Sequence, residues 1–171
     1  MQFNVKMEIP RLELTDWVLD HSRAVLQDLN ISKIFLALHV RRGDWKYHAQ
    51  KEELSWHFSK PHLRNDPIEV QCAQDEYVLK VGQAQRKRLA AEHNISLNDV
   101  SVLVSTNDDS VETLDKFRDA GWTLLRHTTS TAELPSLART VIDLGVLTLS
   151  SGFIGQYGST FSYMVLHLRG R

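Results

Sequence analysis

The chain has 171 residues, 42% of them apolar and 24% charged, with a net charge of -1. That length is enough for one domain with a real core and too short for two large lobes, and near-neutrality argues against non-specific nucleic-acid binding, so any anion site must be local. The single Cys72 excludes an internal disulfide, no CxxC or Cys/His cluster suggests structural zinc, and no apolar run approaches a membrane span.

The opening Met1-Gln2-Phe3-Asn4-Val5-Lys6 lacks the long hydrophobic core of a signal peptide. Thr15 then suits the cap of a helix whose inner face carries Trp17, Val18, His21, Ala24, Val25 and Leu29 at three-and-four spacing. A run of apolar and β-branched residues from Lys33 to Arg41 predicts a buried strand that delivers Arg41, Arg42 and Asp44 to its C-terminal edge. Such edges carry ligands in α/β proteins, and two guanidiniums suit a phosphate-bearing one. Asp44 to about Glu69 shows no sustained period and reads as a long loop with Trp45, Tyr47, His48, Trp56, His57 and His62. Its histidines lack the four-residue spacing and partner ligands of a metal site.

From about Ala73 to His93 a second helix is predicted, with Tyr77, Val78, Val81 and Leu89 inward and Arg86-Lys87-Arg88 on its solvated face. Val100 to Ser105 predicts a second strand. Thr106-Asn107-Asp108-Asp109-Ser110 then forms a turn that caps a helix ending near Ala120 and stopped by Gly121. Trp122 to Arg126 predicts a third strand, Thr128-Thr129-Ser130-Thr131 a polar loop, and Pro135 the start of a largely apolar helix, Ser136 to Leu149, in which Asp143 is the exception. Gly152 to Gly155 predicts a fourth strand, and the segment Gln156 to Ser162 opens a last helix. Two sequons, Asn30-Ile31-Ser32 and Asn94-Ile95-Ser96, are short enough to arise by chance.

Strands alternating with helices predict a doubly wound parallel sheet, a Rossmann-like α/β fold with residues 1–171 as a single domain. If the first three strands lie side by side and the fourth returns to the other side of the first, the switch-point crevice falls between strands one and four. That topology brings His39, Arg41 and Asp44 opposite Ser159, Thr160 and the free N–H groups of a helix start, where the hydroxyls of Ser159, Thr160 or Ser162 are candidate phosphate donors. Taken by itself, a Gly-Ser-Thr triplet is better accounted for by ordinary capping through Ser159 and Thr160. Gly152, Gly155 and Gly158 are in the wrong order for GxGxxG, no lysine follows as in a P-loop, and no Asp-x-Asp is present to hold a metal against a sugar diphosphate.

His39-Val40-Arg41-Arg42-Gly43-Asp44 resembles the HxRxxD motif of GDP-fucose-dependent fucosyltransferases, the protein O-fucosyltransferases and α1,6-fucosyltransferases. Val141-Ile142-Asp143-Leu144, Gly152-Phe153-Ile154-Gly155 and Gly158-Ser159-Thr160-Phe161-Ser162 resemble the family's second nucleotide-binding region in the same order. The resemblance implies the C-terminal, nucleotide-sugar-binding half of a GT-B glycosyltransferase, with GDP-fucose as donor, a protein or glycan acceptor, no metal and no cofactor. It implies that Arg41 stabilises GDP as it leaves, with His39 and Val40 beside it. Asp143 would lie toward guanine, Ser159, Thr160 and Phe161 along the phosphate and base side, and Asp108 at a position where relatives often carry an acid. Gln156 stands where asparagine is common. The acceptor-binding N-terminal half is expected outside this chain, and relatives work in the endoplasmic reticulum or Golgi lumen. A non-catalytic nucleotide-sugar-binding module is the alternative. Arg42-Gly43-Asp44 is also an adhesion tripeptide, but it leaves a buried strand rather than an exposed loop tip.

Overall fold

The structure is a computed structural model that describes residues 13–42, 75–126, 128–156 and 159–170. Its elements, in chain order, are α1 (Asp16–Asp28), β1 (Phe35–Val40), α2 (Asp75–His93), β2 (Ser101–Thr106), α3 (Val111–Asp119), β3 (Thr123–Leu124), α4 (Ser136–Thr148), β4 (Gly152–Ile154) and α5 (Thr160–Leu168). The strands form one parallel sheet in the order β3-β2-β1-β4. β1 pairs with β2 over its whole length, Phe35 opposite Ser101 through Val40 opposite Thr106, and with β4 from Leu36 opposite Gly152 to Leu38 opposite Ile154. The chain therefore steps outward from β1 to β3 and returns to the far side of β1, which puts the switch point between β1 and β4.

Strand alternation sorts the core into two layers. Leu36, Leu38 and Val40 pack with Val78 and Leu89 of α2 and with Leu114 and Phe117 of α3. Phe35 and Ala37 face the other way, toward Val25 of α1, Ile142 and Val146 of α4 and Val165 of α5. A strand buried on both faces reads as a continuous apolar run, which is why β1 was legible without periodicity.

The predicted helices are present, with local corrections. Thr15 caps α1 through its side chain, but Trp17 is 46% exposed and lies against the His21 ring, while the buried polar position is Ser22. Tyr77, expected inward on α2, is 62% exposed, because Val78, Gly82, Leu89 and Ala90 form the buried stripe instead. Arg86 does not belong to a purely solvated face, since its Nε donates to the carbonyl of Val100 at 2.8 Å. The third strand shrinks to two residues, and the loop after it contains a 3-10 turn, Thr129–Thr131. Asn30 and Asn94 follow α1 and α2 with φ of 51°, a left-handed geometry that asparagine tolerates and that accounts for the residue at both sequons. The histidines and aromatics predicted to line the long loop after Asp44 lie outside the described residues.

α4 crosses α1 closely at Gly145. A methyl group there would collide with the Ser22 hydroxyl and come within 2.9 Å of Val18 Cγ1. Ser22 itself is fully buried, and its hydroxyl donates to backbone carbonyls, 2.7 Å from that of Val18 and 3.1 Å from that of Ile142. This contact anchors the helix that leads into β4 and the crevice.

Candidate functional site

The C-terminal ends of β1 and β4 meet the start of α5. His39 lies on the α4/α5 face of β1 and is largely buried, with Nδ1 2.8 Å from the hydroxyl oxygen of Ser162 and its ring 4.9 Å from that of Phe161. Burial, helped by the nearby positive charge of Arg41, pushes the His39 pKa down to about 4, so the imidazole is neutral at pH 7.

Gln156 closes the arrangement. Its side-chain oxygen accepts the Arg41 backbone N–H at 2.8 Å, while its own backbone N–H donates to Ser162 Oγ at 3.0 Å. A ring of contacts thus runs from His39 along the strand to Arg41, across to Gln156, and back through Ser162. Gly155 permits it, because a side chain there would come within 2.7 Å of Ser162 Cβ and 2.8 Å of the Phe153 ring. Alongside lies an open cleft of about 160 Å³ lined by Gly155, Gln156, Ser162, Tyr163 and Leu166.

Of the expected phosphate-side residues, Ser159 is 1% exposed and acts as the N-cap of α5, its hydroxyl accepting the Ser162 N–H at 3.4 Å. Thr160 is exposed in the first turn of α5, and Phe161 is half-buried against His39. The side chain of Ser162, a candidate phosphate donor from the sequence, faces His39 instead. Val40 is 4% exposed and its side chain belongs to the core under α2 and α3, so any role at the crevice falls to its main chain.

Arg42 turns away from solvent. It is 3% exposed, ion-paired with Asp75 at the start of α2, and 3.9 Å from Asp108, while its backbone N–H donates to the side chain of Asn107 at 2.8 Å. Burial alone would raise the Asp75 pKa, but hydrogen bonds from Arg42 and Lys116 outweigh it and hold the carboxyl below its usual range. Asp108 is 5% exposed and also accepts the N–H of Ser110, fixing the turn before α3. Its carboxylate thus reaches the β1 edge through Arg42. The adhesion tripeptide loses its arginine to this buried cluster, and its other two residues lie outside the described ones.

Asp143 stands apart from this group. It sits in the middle of α4, half-buried, with no hydrogen bond among the described residues. Burial pushes its carboxyl up to about 6, against a smaller opposing pull from Arg139 one turn earlier. Among the described residues no cluster of three or more His, Cys, Asp or Glu could hold a metal ion.

Sequence reasoning missed Asp75, and it treated Gln156 only as a departure from the family pattern. Gln156 and Arg41 are 115 positions apart, and no local pattern announces a loop amide that will meet a strand end.

No family model matches the chain, and no curated protein matches it. Solved structures do. POFUT1, a GDP-fucose protein O-fucosyltransferase, matches in its complex with GDP at a TM-score of 0.57 and 16% identity, over 92% of this chain and 45% of that one. The POFUT1 complex with GDP-fucose matches at a TM-score of 0.59 and 16% identity, over 92% of this chain and 44% of that one. The chain therefore has a fucosyltransferase-like, Rossmann-like fold and spans less than half the length of the structures it matches.

Proposed function

We propose that this chain is the nucleotide-sugar-binding half of a GDP-fucose-dependent fucosyltransferase of the metal-independent, inverting type. The observation that carries the reading is the ring joining His39, Arg41, Gln156 and Ser162 at the β1/β4 switch point, in a fold shared with proteins solved with GDP and GDP-fucose. In the reaction an acceptor hydroxyl attacks the anomeric carbon of fucose, the bond to the β-phosphate oxygen breaks, and GDP leaves with the electron pair. The hydroxyl proton passes to a base from outside this chain.

Arg41 is the residue assigned to the charge growing on the departing diphosphate, with Thr160 and the N-terminus of α5 on the opposite wall. Phe161 lines the base side behind His39, and Asp143 is assigned to the guanine N1–H and N2–H donors. Ser159 serves by capping α5, and Asp108 by holding Arg42 beneath the strand end. Residues 1–171 act as one domain, completed by an acceptor-binding half, in the lumen of the secretory pathway.

A calorimetric titration tests the reading: GDP binds and UDP binds more weakly, and preference for UDP or ATP would defeat it. In the protein that carries both halves, Arg41→Ala lowers fucose transfer about a hundredfold or more, as expected for a preorganised charge-stabilising donor. A second reading is a nucleotide-sugar-binding module without catalysis. GDP binding without transfer in the longest natural form of the protein would select it.

A further inference from the structure

The hydrogen-bond ring at the switch point fixes more than positions. Ser162 is 3% exposed, and its hydroxyl oxygen has two partners: the backbone N–H of Gln156 at 3.0 Å and Nδ1 of His39 at 2.8 Å. The first is a pure donor, so Ser162 accepts there. The hydroxyl's own proton then needs an acceptor, and among the described residues the available one is His39 Nδ1. Nδ1 must therefore be bare. A neutral imidazole with a bare Nδ1 carries its proton on Nε2. That nitrogen makes no hydrogen bond among the described residues.

We infer that Ser162 is a positioning residue that locks His39 in the Nε2–H tautomer, so that His39 offers the crevice one N–H donor for an oxygen acceptor and does not act as a base. Gln156 is the second member of the lock, because its backbone N–H uses one lone pair of Ser162 and so steers the hydroxyl proton toward the histidine. The depressed pKa of about 4 is consistent with this, since a neutral ring keeps one donor and one acceptor over the physiological range. Phe161 packs against the ring and limits its rotation. On the reading given above, which the choice of ligand rests on, the acceptor is an oxygen of the bound GDP.

Long-range 1H–15N correlation spectra of the 15N-labelled chain at pH 7 read the tautomer directly, without any ligand. The expected result is a protonated Nε2 and a bare Nδ1 for His39, with the Nδ1–H form appearing in Ser162→Ala. A His39 that is Nδ1–H or doubly protonated at pH 7 overturns the inference. A pair of substitutions tests the donor position: glutamine places its amide N–H near that of Nε2, asparagine near that of Nδ1. GDP titration should find His39→Gln within a few-fold of the unmodified chain and His39→Asn roughly tenfold or more weaker, as for a lost hydrogen bond to a charged group. The reverse order overturns the inference, as does equal loss in two variants that melt like the parent. If the unmodified chain binds no GDP while His39 is Nε2–H, the nucleotide reading fails and the tautomer assignment stands.

Discussion

The backbone N–H of Arg41 lies 2.8 Å from the side-chain oxygen of Gln156, so the residue that follows β1 is held by a loop amide beyond β4. This single contact spans the switch point. Gln156→Leu keeps the size and removes the acceptor for the Arg41 N–H, while the backbone N–H that Gln156 donates to Ser162 stays in place. Expected is a loss of GDP affinity of about tenfold at little cost in stability, in line with one neutral hydrogen bond of about 1 kcal/mol. Calorimetry and a urea titration measure the two, and unchanged affinity would remove Gln156 from the site.

Asp143 carries a pH signature. Its folded-state pKa is raised from 3.8 to about 6, chiefly by burial. Below the lower value both the folded and unfolded chains hold the proton. Between the two values the unfolded chain has released it and the folded chain has not, so stability falls as pH rises through this window and then levels off. Allowing for partial exposure, the loss is about 1–2 kcal/mol. Asp143→Asn should match the parent near pH 4 and exceed it by that amount at pH 7. Urea midpoints at the two pH values check this, and a constant difference between the proteins would refute it.

Arg42 is where stability and site support coincide. Removing it takes the guanidinium away from the carboxylates of Asp75, which keeps its bond from Lys116, and of Asp108, and breaking a buried ion pair costs about 3–5 kcal/mol. Arg42→Ala should lose that much, while Arg42→Ala combined with Asp75→Ala should recover part of it. A double-mutant cycle by chemical denaturation gives the coupling directly. Strictly additive losses would mean that the pair is not coupled.

The α1/α4 crossing makes a packing prediction. Alanine at Gly145 gains helix propensity of about 1 kcal/mol but must displace Ser22 and Val18, and overpacking of this kind costs about 1–3 kcal/mol. Gly145→Ala should therefore destabilise the chain, and less so in a Ser22→Ala background, where the colliding hydroxyl is gone. An equal effect in both backgrounds, by thermal melting, would show that the crossing yields elsewhere.

The sequence by itself determined the element order and the parallel sheet, and it allowed the return of the last strand beside the first as one arrangement, which the observed sheet order settles. β1 is buried on both faces and so reads as a continuous apolar run, and Ser110 and Thr15 are caps whose partners lie three residues away. Those signals are local, and local chemistry is what a linear reading captures. It also named His39 and Arg41, because the motif that carries them is contiguous. Only the tertiary structure decided that Arg42 points inward to Asp75, that Ser162 faces His39 rather than open solvent, and that Gln156 holds Arg41. Each of those contacts joins residues far apart in the chain, and their partners are chosen by which strand ends and helix starts the sheet order brings together.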